Sequence, residues 1–372
     1  MGCMHKTNFY LKIIVACLLL IPEGLSAQKL KPGFDKAEYI EMLKIAQKQH
    51  VDISKWATDT KVPAPASHKL VYRSPVMGLE NMWDLWMGND GVAVISVRGT
   101  TGNTVSWLAN FYSAMVPATG TLELEKDFSF KYKLCNEPKA AVHVGWLLAM
   151  AYLSRDIMPH IDSCYKQGIK DFIITGHSQG GAITYLLTSY LESRKKDGRL
   201  PGDIRFKTYS SAAPKPGNLY YAYEYENMTR NGWGYNVVNT ADWVPETPVS
   251  VQTIGDFNNV NPFTNAKKTI RKQKFPTRLA LMYAFNRLDK PTKRSQKHFE
   301  KYMGRMMAKN VKKNLPQYKA GKYFTSVNYV RTGTTIILYA DEVYHKAFPD
   351  DQKQIFMHHF CQPYLYLAEK LK

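Results

Sequence analysis

The stretch Ile173–Ala182, which reads Ile-Ile-Thr-Gly-His-Ser-Gln-Gly-Gly-Ala, constrains this chain more than any other part of the sequence. An apolar, β-branched run enters it, and a helix-forming run leaves it. At its centre is the pattern Gly-x-Ser-x-Gly, which is informative only between a strand and a helix. There the glycines remove Cβ atoms that would clash in a sharp turn, and the helix N-terminus points N–H groups at developing negative charge. The stretch predicts a nucleophile elbow with Ser178 as the attacking residue; the alternative is a glycine-rich connection with a buried serine.

Residues 1–27 have the pattern of a secretory signal peptide. Two lysines precede the apolar run Ile13–Ile21, and Leu25-Ser26-Ala27 supplies small residues at a cleavage site. The run is too short for a membrane-spanning helix. A lipid-modified Cys17 is the alternative, although Lys12 lies close before it and the apolar run continues after it. We therefore expect an exported protein, secreted or periplasmic, that is soluble or peripheral.

The remaining 28–372 segment is long enough for one large α/β domain with insertions or for two small domains, and we expect the single domain. It keeps three of the five cysteines, Cys135, Cys164 and Cys361. Three is an odd number, so at most one internal disulfide can form, and Cys135–Cys164 is a candidate pair that the sequence cannot decide. The fold is not expected to depend on disulfides.

Strands alternate with helices through the middle of the chain, which predicts an α/β fold with a mainly parallel, twisted sheet covered on both faces. Helices are predicted at Phe34–Gln49, Ala141–Leu153 and His358–Leu371, whereas Asn103–Met115 has an exposed-looking mix of aromatic and apolar residues. Strands are predicted at Lys69–Arg73, Met82–Met87, Val92–Val97, Ile204–Tyr209, Tyr235–Asn239, Tyr323–Val327 and Thr335–Tyr339, besides the one before the elbow.

A serine hydroxyl needs a base to take its proton and a third group to orient that base. In an elbow-type hydrolase these partners follow in the order serine, acid, histidine. Four histidines lie late enough: His298, His345, His358 and His359. His298 lies in a basic helical stretch, and His345 follows a strand by a few residues. The adjacent pair lies where a loop enters the last helix, and we prefer His359 to His358; the alternative for either is a histidine on the helix surface.

Asp242 is the candidate acid. It follows the apolar strand Tyr235–Val238 and lies in a turn bounded by prolines, a rigid place at the carboxyl end of a strand. The other reading is an ordinary turn residue. Three competing acids precede a strand or lie further from one: Asp203, Glu246 and Asp256.

Two N–H donors are needed to hold the oxyanion of the acyl intermediate. Gln179, directly after the nucleophile, should supply one, and the loop Arg98-Gly99-Thr100 after the first central strand should supply the other. Thr100 could add its hydroxyl.

Five stretches together resemble the class 3 lipases, the α/β-hydrolase family of the fungal triacylglycerol lipases. They are Val97-Arg98-Gly99-Thr100, Val142-His143-Val144-Gly145-Trp146, Thr175–Ala182, Tyr209–Asn218 and Val237–Pro245. A histidine a few residues before Tyr364 is similar to the family's final element. The resemblance runs from about residue 70 to 260 and again from 320 to 372.

Carried over residue by residue, the resemblance implies Ser178 as nucleophile, Asp242 as acid, His359 as base, and Thr100 and Gln179 as the oxyanion hole. It implies no metal and no organic cofactor. It also places the segment 103–117, with its aromatic residues, where the family has its lid; a packed helix is the alternative. His143 has no triad role in the family and is read as structural.

Two departures from the family pattern stand out. Gln179 replaces a leucine that is common after the nucleophile, and a basic helical insertion occupies about residues 256–322, before the last strands. Residues 266–322 hold eighteen Lys and Arg against two acids, whereas the rest of the mature chain is nearly neutral. Such a segment indicates docking on an anionic membrane surface or capture of acidic substrates, and a solvated cap is the alternative; nucleic acid is not expected, since no nucleic-acid motif is present.

The sequence therefore predicts a secreted serine hydrolase that cleaves carboxylic ester bonds of lipids, either triacylglycerol or phospholipid acyl esters, through an acyl-serine. A short-chain carboxylesterase is the alternative within the class. A non-catalytic surface-binding protein on a hydrolase fold is the alternative outside it.

Overall fold

A computed structural model describes residues 29–49 and 62–372. The predicted signal peptide lies outside these residues. The strands are β1 (His68–Arg73), β2 (Trp83–Gly88), β3 (Ala93–Val97), β4 (Met115–Pro117), β5 (Thr119–Glu125), β6 (Phe128–Lys133), β7 (Ala141–His143), β8 (Asp171–His177), β9 (Arg205–Ser211), β10 (Gly217–Asn218), β11 (Gly234–Asn239), β12 (Tyr329–Val330) and β13 (Thr334–Leu338).

The helices are α1 (Lys36–Lys48), α2 (Thr104–Phe111), α3 (Val144–Lys166), α4 (Gln179–Lys196), α5 (Leu219–Met228), α6 (Ala266–Arg271), α7 (Thr277–Phe299), α8 (Met307–Asn314), α9 (Glu342–Ala347) and α10 (Cys361–Glu369). A π-helical segment, Glu300–Met306, joins α7 to α8, and a 3₁₀ turn, Met357–His359, precedes α10. None of the helices in the described part combines the length and the apolar character needed to cross a bilayer.

Seven strands form the central sheet in the order β1-β2-β3-β8-β9-β11-β13. The first three pair antiparallel, and the run from β3 to β13 is parallel. The mainly parallel sheet is thus confirmed. Because parallel strands share one carboxyl edge, the residues that follow β3, β8 and β11 meet there.

Both faces of the sheet are covered, since successive strand residues point to opposite sides. Ile95 and Ile174 belong to the core shared with α3 and α4. Their neighbours Val94 and Ile173 belong to the core shared with α1 and α10. A continuous apolar strand is what this double covering requires, and it explains the β-branched run before the elbow.

Three sequence expectations need correction. No strand forms at Tyr323–Val327: Phe324 donates its N–H to Met115 and Val327 makes one isolated bridge, so no ladder is built. The predicted helix Ala141–Leu153 begins only at Val144, because its first residues pair in a small second sheet of β12, β10, β7 and β4.

The third correction concerns the cysteines. Cys135 and Cys164 are both buried and are not joined by a disulfide, so the candidate bridge between them does not form; Cys361 is buried as well. Burial raises the pKa of the Cys135 thiol to about 11, which keeps it protonated and unreactive at neutral pH.

The basic insertion has two parts that differ in packing. Its second part lies on the domain: Ala114 donates its N–H to Met303, and Ala308 and Val311 of α8 are buried. In α7, by contrast, the buried residues are two polar ones, Asp289 and Gln296. Four of its large apolar side chains are exposed to solvent: Leu279, Leu281, Tyr283 and Leu288.

Candidate active site

Ser178 lies in a strained turn between β8 and α4. Its φ is +62° and its ψ −129°, a region that costs a non-glycine residue of order 1–3 kcal/mol. The flanking glycines are required by contact, since a Cβ on Gly176 would lie 2.5 Å from the carbonyl carbon of Gly180, and a Cβ on Gly180 would lie 2.1 Å from the Val97 oxygen. The turn has the geometry of a nucleophile elbow, and Ser178 is partly exposed at its tip.

Asp242 and His359 meet at the same edge of the sheet. His359 Nδ1 is 2.8 Å from Asp242 Oδ2, and both side chains are buried. Because the carboxylate accepts the Nδ1 proton, Nε2 is left as the basic nitrogen of the ring. The arrangement is that of an acid orienting a base.

Tyr364 also binds the carboxylate of Asp242. From the sequence it had no assigned role and served only to locate the histidine that precedes it. Its hydroxyl donates to Asp242 Oδ2 at 2.8 Å and accepts the N–H of Asn239 at 3.1 Å. The backbone N–H of Val244 donates to the other carboxylate oxygen at 3.0 Å. Burial, helped by the charge of Asp242, raises the pKa of Tyr364 well above its usual value, so the hydroxyl stays a donor.

His177 fixes the backbone of the candidate base. Its Nε2 donates to the carbonyl oxygen of His359 at 2.6 Å, so its Nδ1 accepts from Ser211 Oγ at 3.1 Å. Ser211 in turn accepts from the buried Tyr39 hydroxyl at 2.8 Å. The side chain next to the nucleophile thus has no place in proton transfer, and it ties the elbow strand to the turn that carries the base.

The structure separates the two adjacent histidines. His358 turns away from Asp242: its Nδ1 is 2.8 Å from the hydroxyl of Tyr344, and its Nε2 is 2.9 Å from Asp350 Oδ1. His345 lies beside the same Asp350 carboxylate at 3.5 Å. Both therefore fall outside the constellation of Asp242 and His359. Within the described part of the chain, this second group is the one whose ligand atoms converge as a metal site requires.

Asn110 connects the two candidate oxyanion residues. Its Nδ2 donates to Thr100 Oγ1 at 2.9 Å, and its Oδ1 accepts from Gln179 Nε2 at 2.9 Å and from Trp146 Nε1 at 3.0 Å. The indole N–H can only donate, so it fixes which end of the amide faces Thr100. Thr100 then accepts from Asn110 and keeps its own hydroxyl proton for another acceptor.

The side chain of Gln179 also explains its departure from leucine. Besides Asn110, it donates to the carbonyl oxygen of Ser106 at 3.1 Å, which ties α4 to α2. A leucine could make neither hydrogen bond. The backbone N–H next to the nucleophile is unaffected by this exchange, as the sequence argument required.

His143 supports Trp146 and is not a catalytic group. The two rings stack with centroids 3.6 Å apart, His143 Nδ1 accepts from the Trp146 backbone N–H, and Nε2 lies 3.2 Å from the Asn110 carbonyl oxygen. Burial lowers the pKa of His143 to about 3, so the ring is neutral at physiological pH. It is a rigid support beneath the residue that fixes Asn110.

Four aromatic side chains form a surface cluster beside the site, which we call the aromatic cluster: Trp107, Phe111, Trp243 and Phe356. Phe356 is central, because its ring lies 6.0 Å from Trp107, 5.3 Å from Trp243 and 6.0 Å from His359. Trp107 and the half-exposed Phe111 come from α2, the segment that the resemblance identifies as a lid. In this structure α2 is a packed helix whose polar face is hydrogen-bonded and whose aromatic side chains border the site.

Parts of this chain are similar to known proteins. Residues 94–252 match the model of the family Lipase (class 3). The secreted mono- and diacylglycerol lipase 1 of Fusarium solani is 29% identical over 157 residues, which are 42% of this chain and 39% of that protein. The chain thus matches about two fifths of the length of this curated relative.

Solved structures of fungal lipases are also similar. A propeptide complex of Rhizomucor miehei lipase has a TM-score of 0.41 at 19% identity, over 59% of this chain and 65% of that one. Lipase II from Rhizopus niveus has a TM-score of 0.40 at 20% identity, over 57% and 74%. The family match contains Ser178, Asp242 and both oxyanion candidates, whereas His359 lies beyond it. This segment of the chain is similar to the class 3 lipase family.

Proposed function

We propose that this protein is an exported serine hydrolase, a single domain with a basic helical insertion, that cleaves carboxylic ester bonds of lipids. The observation that carries the proposal is the 2.8 Å contact between Asp242 and His359 at the sheet edge where Ser178 sits in its strained turn. The match of residues 94–252 to the family Lipase (class 3) supports the ester as the bond attacked.

In the proposed reaction, Ser178 Oγ attacks the ester carbonyl carbon and gives its proton to His359 Nε2. The carbonyl electron pair moves to oxygen, which the N–H of Gln179 and the Thr100 loop stabilise. Collapse expels the alcohol, which takes the proton from His359 and leaves an acyl-serine. Water then attacks the acyl carbon with His359 again as base, and the acid leaves as Ser178 recovers its proton. Asp242 keeps the imidazole in the required tautomer throughout.

The aromatic cluster supports a lipid as the substrate. Aromatic side chains at the rim of a site bind acyl chains by burying apolar surface. The relative from Fusarium solani is named as a lipase of mono- and diacylglycerols, which points to acylglycerols or other lipid acyl esters. A short-chain carboxylesterase would use the same triad and would gain little from these rings.

The decisive experiment combines an active-site label with a chain-length series. A fluorophosphonate probe should label the wild-type protein and a Ser163→Ala control, in which an exposed serine of α3 is removed, but not Ser178→Ala. On p-nitrophenyl esters, Ser178→Ala should lose at least about 10⁴-fold in kcat. Retained labelling in Ser178→Ala would refute the nucleophile, and activity that falls steadily beyond four-carbon acyl chains would favour the short-chain esterase.

We further propose that α6 and α7 dock on anionic lipid. Residues 266–299 hold eleven Lys and Arg and one acid, Asp289. On the same pair of helices, large apolar side chains stand in solvent, among them Leu288 at 74% exposure and Tyr283 at 65%. A basic helix with an outward apolar face matches an interfacial membrane helix, in which charge attracts the surface and apolar groups enter it. A solvated cap would bury its apolar residues against the domain instead.

Liposome co-sedimentation tests this docking. Binding should require anionic lipid and weaken with salt. Lys267→Ala/Lys268→Ala should weaken it by about 30-fold, since each basic residue near the surface contributes about 1 kcal/mol. The control Lys131→Ala/Lys133→Ala removes the same charge from exposed positions of β6 and should bind like wild type. Equal loss in both variants, or binding without anionic lipid, would refute a specific surface; hydrolysis of soluble esters should be unchanged in either.

A further inference from the structure

His345, Asp350 and His358 form a compact group outside the proposed catalytic centre. Their ligand atoms all lie within 4.8 Å of one another. Asp350 Oδ1 is 2.9 Å from His358 Nε2 and 3.5 Å from His345 Nδ1. We propose that these three side chains bind one divalent transition-metal ion of the zinc type, with water completing the coordination.

The spacing suits such an ion. Zinc binds imidazole nitrogen and carboxylate oxygen at about 2.0–2.2 Å, so tetrahedral ligands lie about 3.4 Å apart. The observed separations need only small movements, and the Asp350 side chain is free to make them because it is 81% exposed. Two imidazoles select zinc, nickel, cobalt or copper over calcium and magnesium, which prefer oxygen.

Buried neighbours orient one of the ligands. The hydroxyl of Tyr344, a buried residue of α9, lies 2.8 Å from His358 Nδ1 and also accepts from Asn239 Nδ2 at 2.8 Å. An oxygen with two lone pairs can accept the Nδ1 proton as well, which leaves the Nε2 lone pair facing Asp350. Metal-binding histidines usually have such a partner on the second nitrogen. Without metal, a proton lies between His358 Nε2 and Asp350. When the ion binds, it replaces this proton, which moves to Nδ1 or to solvent.

Occupancy would join two elements across a loop. His345 belongs to α9, whereas His358 lies in the 3₁₀ turn that also contains His359. The loop between them carries Phe356 of the aromatic cluster. An ion bound to the folded state alone stabilises that state by mass action. The bound metal would therefore hold α9 to the turn that carries the candidate base, and it would take no part in the ester chemistry.

Calorimetric titration of the metal-free full chain with zinc chloride tests the site. We expect one saturable site and a rise in melting temperature. His345→Ala and Asp350→Asn should each weaken zinc binding by at least about tenfold, whereas His298→Ala, which removes an exposed histidine of α7, should bind like wild type.

Several results would refute the proposed metal site. These are no zinc binding by wild type, binding that survives in His345→Ala, or equal loss in His298→Ala. A preference for calcium over zinc would refute the assigned class of ion. The same titration on Ser178→Ala keeps the question separate from hydrolysis, since that variant should bind zinc normally whether or not the protein is an esterase.

Discussion

The hydrogen bond from Asn110 to Thr100 makes a sharp prediction about the oxyanion hole. Asn110→Asp keeps the size of the side chain and the oxygen that accepts from Gln179 and Trp146. It replaces the Nδ2 donor by an acceptor, so Thr100 must turn its hydroxyl proton toward the new carboxylate. One oxyanion donor is then lost.

Loss of one such donor costs about 10²–10³ in kcat. The backbone N–H groups remain, so we expect the lower end, about 10²-fold. The oxyanion exists only in the transition state and intermediate, so KM should hardly change. Thr100→Val removes the same hydroxyl directly and should give a similar loss.

A double-mutant cycle on a soluble p-nitrophenyl ester separates this effect from the new negative charge, which acts in both backgrounds. If Asn110 acts through the Thr100 hydroxyl, Asn110→Asp in the Thr100→Val background adds only the effect of the charge, and the coupling energy is about 2–3 kcal/mol. Additive losses with no coupling, or unchanged kcat in either single variant, would refute the reasoning. Circular dichroism of all four proteins checks that each is folded.

Two further predictions concern buried supports of the site. Because the pKa of His143 in the folded state is about 3, its ring takes up a proton only when the protein unfolds. Between pH 6.5 and 3 this uptake lowers the free energy of unfolding by about 1.4 kcal/mol for each pH unit that the pH falls. Above pH 6.5 it has no such effect. In urea unfolding, wild type should lose about 2 kcal/mol more than His143→Gln between pH 7 and 5; parallel losses would contradict the burial argument. Tyr364→Phe removes a hydrogen bond to the Asp242 carboxylate and should lower kcat about tenfold with little change in KM, given the 1.5–3 kcal/mol typical of bonds to charged groups. The control Tyr366→Phe, on the same helix, removes a hydroxyl that accepts a hydrogen bond from Lys370 at the surface and should keep full activity; an equal fall there would point to helix packing instead.

Sequence reasoning succeeded where the information is local. The β-branched strand, the glycines and the helix-forming run around Ser178 are consecutive, so their pattern predicts strand, turn and helix directly. Asp242 could be placed in the same way, because a strand followed by a proline-bounded turn fixes it at the carboxyl edge. The contact between Asp242 and His359 then follows from the order of residues that an elbow hydrolase imposes.

The supporting residues could not be found in this way, because their roles depend on contacts between distant parts of the chain. Tyr364 reaches Asp242 across 122 positions, and His177 reaches His359 across 182. Tyrosine and histidine at such places look like ordinary core residues. The one local signal was Gln179, whose polar side chain beside the nucleophile departs from the leucine common in the family and implies a buried partner.

The hydrogen bonds of α2 limit how substrate can enter the site. Asn110, in the last turn of this helix, is hydrogen-bonded to Thr100, Gln179 and Trp146 at once, so movement of that turn would disrupt the proposed oxyanion hole. Trp107 lies one turn earlier and packs on Phe356, outside these hydrogen bonds. A flap that opened the whole helix would therefore expose the serine and disable it in the same motion. In the proposed reaction, opening by the aromatic cluster alone, with Asn110 in place, would admit an acyl chain and leave the proposed donors aligned.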